Sequence, residues 1–170
     1  MGRAVDEFIT YLTRFNRKER FFLVGWALGN REFRLAPASR REISSLLSLD
    51  VPRDAFVAMD YHLDWIYGSA FLSATDDAEG IHSNRDGLVS GSQEDMDLVV
   101  AFSAGETAHL IMVEAKGVTA WTNKQATSKA RRLEAIFGRG ATRGPTSVPT
   151  SSSSRRESLR VWSGAAGPAG

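Results

Sequence analysis

Three ionisable residues, Asp97, Glu114 and Lys116, sit within or beside two short apolar runs, Met96–Phe102 and His109–Ala115. Both runs are rich in β-branched residues, and the six residues Ser103–Ala108 between them, with Gly105 near the middle, suit a hairpin loop. Folded symmetrically about Gly105 and Glu106, the hairpin sets Phe102 opposite His109 and Asp97 opposite Glu114. Directly opposed residues share a face, with Cβ atoms about 4.5–5.5 Å apart. The pleat puts Lys116 on that face too, about 7 Å further along. Two carboxylates this close repel unless a cation holds them. A hard divalent ion, Mg²⁺ or Mn²⁺, binds through one or two carboxylates together with phosphate oxygens and water. A neighbouring lysine can then orient or deprotonate a metal-bound water, or stabilise charge developing on a phosphate. Metal-assisted hydrolysis of a phosphodiester is the chemistry this set suits.

The same residues fit a plainer arrangement. Asp97 can simply end a strand, and Glu114 with Lys116 can form a solvated ion pair worth little to stability. A register change of one residue would put Asp97 and Glu114 on opposite faces. A second group, Asp60-Tyr-His62-Leu-Asp64-Trp65, carries ionisable side chains inside an apolar stretch, where burial without partners is costly. Asp60 and His62 are candidates for substrate contact or for orienting a metal ligand; a hydrogen-bonded core network is the alternative. His62, His82 and His109 show no zinc-ligand spacing, and the chain has neither G-x-S-x-G nor a phosphate-binding G-x4-G-K-[ST] loop.

These groups need elements to hold them. Val5, Phe8, Ile9, Leu12 and Phe15 recur at helical spacing, predicting a helix over about 4–15. Asn16 can cap a second helix, 17–28, that stops at Gly29-Asn30. Ser39-Arg-Arg-Glu42 has the capping-box pattern and predicts a short third helix carrying Ile43, Leu46 and Leu47. From Pro52 to Leu72 the aromatic-rich sequence fits neither helix nor strand periodicity. Residues 73–95 are polar, with a turn at Asp86-Gly87. Beyond the hairpin, Ala126, Ala130, Leu133 and Phe137 form one stripe of a helix over 121–137, capped by Thr122 or Asn123 and ended by Gly138.

The stretch Asp97-x16-Glu114-Ala-Lys116, with Leu-Val-Val after the Asp and Leu-Ile-Met-Val before the Glu, resembles the PD-(D/E)XK nuclease superfamily. The resemblance covers about residues 97–137 and implies an α/β (α+β) restriction-endonuclease-like core: a central mixed sheet with an antiparallel hairpin, flanked by helices. It implies Asp97 and Glu114 as metal ligands, Lys116 serving the attacking water, and a Glu from the first helical region completing the site. Glu19 is the first choice for that Glu and Glu7 the alternative; for each, a surface ion pair is the competing reading. Asn123-Lys124-Gln125-Ala-Thr-Ser-Lys129 resembles the Gln-bearing helix of several such nucleases. Gln125 and Lys129 share a helix face, and with Lys124 and Arg132 they are candidates for contacts to a phosphate backbone. The implied activity is a Mg²⁺- or Mn²⁺-dependent nuclease, endo- or exonucleolytic, acting on DNA, with RNA and a homodimer both compatible. A catalytically silent nucleic-acid-binding or scaffold module of the same fold is the second reading.

Composition sets the outer bounds. The chain has 170 residues, 42% of them apolar, enough for one domain with a real core. It contains no cysteine, which excludes disulfides, a thiol nucleophile, an iron–sulfur cluster and any Cys-ligated zinc. Its longest apolar run, Phe21–Leu28, is interrupted by Gly25 and falls far short of the roughly 20 residues of a membrane helix. The opening residues show neither a signal-peptide core nor a myristoylation pattern, so the expected setting is cytoplasmic, without a membrane. Residues 1–137 hold 16 basic and 19 acidic residues, not the basic footprint of a passive nucleic-acid coat. After Phe137 about half the chain is Gly, Pro or Ser. The expected division is therefore a nuclease-like domain, 1–137, and a disordered tail, 138–170, in which only Leu159–Trp162 can dock. On that reading the strand that follows the last helix in the superfamily core is missing.

Overall fold

The computed structural model describes residues 2–15, 20–91, 94–105, 107–116, 123–138, 142–149 and 158–166. Helix α1, Gly2–Phe15, turns Val5, Phe8 and Leu12 into the core, the stripe its spacing dictates. The next segment, Arg20–Ala27, is wound as a π-helix rather than the expected α-helix, and Leu28 N–H donates to Leu23 O five residues back at 3.1 Å. A Cβ at Gly25 would stand 3.2 Å from the Phe33 ring, so the absent side chain is what lets Phe33 pack here. Helix α2, Pro37–Leu47, starts two residues before the expected capping box. Pro37 fixes a helical φ at the first position, where its missing N–H costs nothing, and Ala36 caps through backbone alone.

The ambiguous aromatic stretch is a strand running directly into a helix: β1, Phe56–His62, then α3, Leu63–Ala74. Periodicity fails there for a second reason. Asp60 takes φ 49°, so alternation slips and Phe56, Ala58 and Tyr61 all enter the same core. Tyr61 is fully buried and its hydroxyl donates to Leu12 O at 2.8 Å, tying β1 to the end of α1.

The hairpin is β2, Asp95–Ala104, and β3, Thr107–Lys116, turning at Gly105 with φ 61°. Helix α4, Asn123–Phe137, buries Leu133 and ends at Gly138, whose φ of 83° suits glycine and whose N–H donates to Glu134 O.

Two further strands follow, β4, Thr142–Pro149, and β5, Ser158–Ala166. The sheet order is β1-β2-β3-β5-β4. Every neighbouring pair is antiparallel, so the expected mixed sheet is corrected: α4 leads to a strand pair whose second member, not its first, returns to β3. The residues expected to form a tail without structure carry these two strands. β5 pairs with β3 over nine residues, from Ala108–Ala166 to Lys116–Ser158, across the boundary expected after Phe137. β4 lies at the sheet edge, where proline is tolerated, and its register shifts between Arg143 and Thr146, around Gly144-Pro145.

One face of the sheet packs Val99, Ala101, Leu110 and Met112 against α1, α3 and Leu133 of α4. The other packs Val100, Phe102, Ile111 and Val113 against Val51 and Ala55, with Ile43 and Leu47 of α2 alongside. The structure is thus α/β, with helices on both sides of an antiparallel sheet. Among the described residues no helix is long and apolar enough to cross a membrane.

Candidate functional site

The β2–β3 register is the symmetric one. Phe102 pairs with His109, and the ladder runs from Ala104–Thr107 to Leu98–Val113. The next residues past the last pair are Asp97 on β2 and Glu114 on β3. By alternation Glu114 follows Leu110 and Met112 on the α4 side of the sheet; on β2 the alternation breaks at this end, since Met96 enters the same core as Val99 and Ala101.

The two strands part at this end. The backbone ladder between them stops at Leu98–Val113, yet β2 stays paired with β1 as far as Asp95–His62, and β3 with β5 as far as Lys116–Ser158. Where the next rung would fall, the Asp97 carboxylate accepts the Ala115 N–H at 2.6 Å. A side chain has taken the place of a strand carbonyl, keeping the amide satisfied while the strands diverge.

Glu114 is buried, and burying a carboxylate demands a partner. Lys129 of α4 supplies it: its Nζ lies 2.5 Å from Glu114 Oε2 and donates to Asp95 O at 2.6 Å. Lys129, expected to face a phosphate, therefore faces Glu114. The Arg132 guanidinium pairs with Asp64 and donates to Leu88 O. Asp64 also accepts the Gly91 N–H at 3.0 Å. Ser128 Oγ donates to Glu94 at 2.6 Å, completing the seating of α4.

The other expected site residues separate into two groups. Asp60 lies between the Met59–Leu98 and Tyr61–Met96 pairs, at the level of Asp97 on β2. The positive φ at Asp60 turns it out of the alternation, and its residue is exposed. His62 occupies the N-cap position of α3, its ring set edge-on to Trp65 with centroids 4.2 Å apart. Glu19 lies outside the described residues, as do the side chains of Lys116, Lys124 and Gln125. Among the described residues no three His, Asp or Glu side chains converge on a common point.

Asp97 and Glu114 with the Asp95 carbonyl are all oxygen donors, the kind a hard divalent ion takes. The donor chemistry therefore fits Mg²⁺ or Mn²⁺. Asp95 is the participant that sequence reasoning passed over, while Asp64 was named only as a member of the second group. Asp64 carried a signal in its apolar surroundings, which require a cationic or N–H partner; the role of Asp95 is played by a backbone oxygen and left none. No family model, no curated protein and no solved structure matches the chain.

Proposed function

We propose that this chain is a divalent-metal-dependent nuclease acting on DNA phosphodiesters. The supporting observation is the hairpin register, which ends at Leu98–Val113 with Asp97 and Glu114 as the next residues on the two strands and Asp97 accepting the Ala115 N–H. In this reading Asp97 and Glu114 hold the ion and Lys116 positions the attacking water, as in the superfamily whose motif they resemble. The bound ion supplies Lewis acidity toward a phosphate oxygen and a more acidic water. Burial beside α4 keeps Glu114 away from bulk water, which strengthens its hold on any cation.

The test is cleavage of plasmid and linear DNA with and without Mg²⁺. Wild-type chain is expected to cut only with the ion. Asp97→Ala and Lys116→Ala should each reduce cutting at least about a hundredfold, the scale of lost electrostatic or acid–base assistance, with unchanged circular dichroism. Undiminished cutting by both variants refutes the assignment.

A second reading is supported by the Lys129–Glu114 ion pair, which already neutralises one of the two carboxylates. It makes the chain a catalytically silent nucleic-acid-binding module. DNA binding that weakens steeply with salt, without cleavage under any metal condition, selects it.

A further inference from the structure

We propose that Lys129 is a tethered counterion occupying the cation seat beside Glu114, so that a divalent ion enters only when the Lys129 ammonium swings out. The inference rests on the metal-site reading above and concerns how that site is controlled.

Three observations carry it. The ammonium is held by a carboxylate oxygen at 2.5 Å and a backbone carbonyl oxygen at 2.6 Å, two hard oxygen donors of the type a divalent ion selects. The side chains of Lys129 and Glu114 are only 12% and 9% exposed, so the charge on Glu114 cannot be left to water when the lysine departs. A second positive charge cannot join the first at this range without strong repulsion; one must leave. Finally, α4 is anchored on either side of Lys129 by groups that do not depend on it. Ser128 holds Glu94, and Arg132 holds Asp64 and Leu88 O. The flexible four-carbon stem of Lys129 can therefore rotate away while the helix stays seated.

Mn²⁺ binding to the full chain, measured by titration calorimetry and by the Mn²⁺-induced rise in melting temperature, tests this without any cleavage assay. Lys129→Met removes the competing ammonium and leaves the Glu114 charge buried. It should bind Mn²⁺ at least about tenfold more tightly than wild type, since a full charge is removed from ion-pair range. It should also melt lower than wild type without the ion and gain more from it. Should Lys129→Met not fold, Lys129→Gln keeps a donor for the Asp95 carbonyl and should show the same ordering of affinities. Equal or weaker Mn²⁺ binding by the variants overturns the counterion role while leaving the metal site standing. Absence of Mn²⁺ binding in all three proteins overturns both. Tighter binding by the variants, with no DNA cleavage by any of them, upholds the counterion and removes the nuclease reading.

Discussion

His109 shows how one side chain can report on the hairpin. It lies directly across the ladder from Phe102, and the two rings stack at 5.0 Å with an 18° tilt. Burial disfavours the imidazolium and lowers the His109 pKa from its ordinary 6.5. In the unfolded chain His109 takes a proton near pH 6.5; in the folded chain it does so only at lower pH. The folded state therefore binds fewer protons in that interval, and stability should decline as pH falls from 6.5 through the lowered value. A proton NMR titration should place the His109 midpoint below 6.5, and His109→Phe should flatten the stability profile across the same window. This pairing was legible in the sequence because Gly105 marks the turn and a symmetric loop fixes the register. The bond from Lys129 to the Asp95 carbonyl was not, since no side-chain pattern announces a backbone acceptor.

At the scale of elements, α4 and the 84–91 segment are held together by one partly buried pair. Arg132 reaches Asp64 on α3 and the Leu88 carbonyl, and Asp64 in turn takes the Gly91 N–H. Both charged side chains are 14% exposed, so removing one strands the other. Arg132→Ala should cost about 3 kcal/mol. Hydrogen exchange should accelerate at Gly91, while the Val89 amide, bonded to Asn84 Oδ1 within the segment, keeps its protection. Helix α4 itself was readable from its Ala126–Phe137 stripe. β1 and α3 were not, because a strand that joins a helix without a loop and contains Asp60 at φ 49° blends two periods. The start of α2 went to Pro37 rather than Ser39 because a locked φ outcompeted a capping hydroxyl.

For the whole molecule, composition misled at the C-terminal end. A segment rich in Gly, Pro and Ser has little to bury, but a strand pairs through its backbone amides, which composition does not register. The one apolar patch there, Leu159–Trp162, falls within β5, opposite Met112–Ala115 of β3. Deleting residues 138–170 should therefore harm the part left behind. Without β5, the β3 edge presents a row of unpaired N–H and C=O groups ready to template another chain. The 1–137 fragment is expected to melt well below the full chain and to scatter light on standing at concentrations where the full chain stays clear. Equal melting temperatures for the two would make the last strands dispensable.

The sheet order gives the chain a biosynthetic timetable. β3 is made before its outer neighbour β5, the last of the described strands, with α4 and β4 translated in between. At about 5–20 residues per second, the roughly fifty residues separating Lys116 from Ala166 leave that seat vacant for a time on the order of seconds. During this interval a nascent chain carries an open flank next to the carboxylate pair. Holdase chaperones and neighbouring polysomal chains would meet it there before the protein's own β5 arrives.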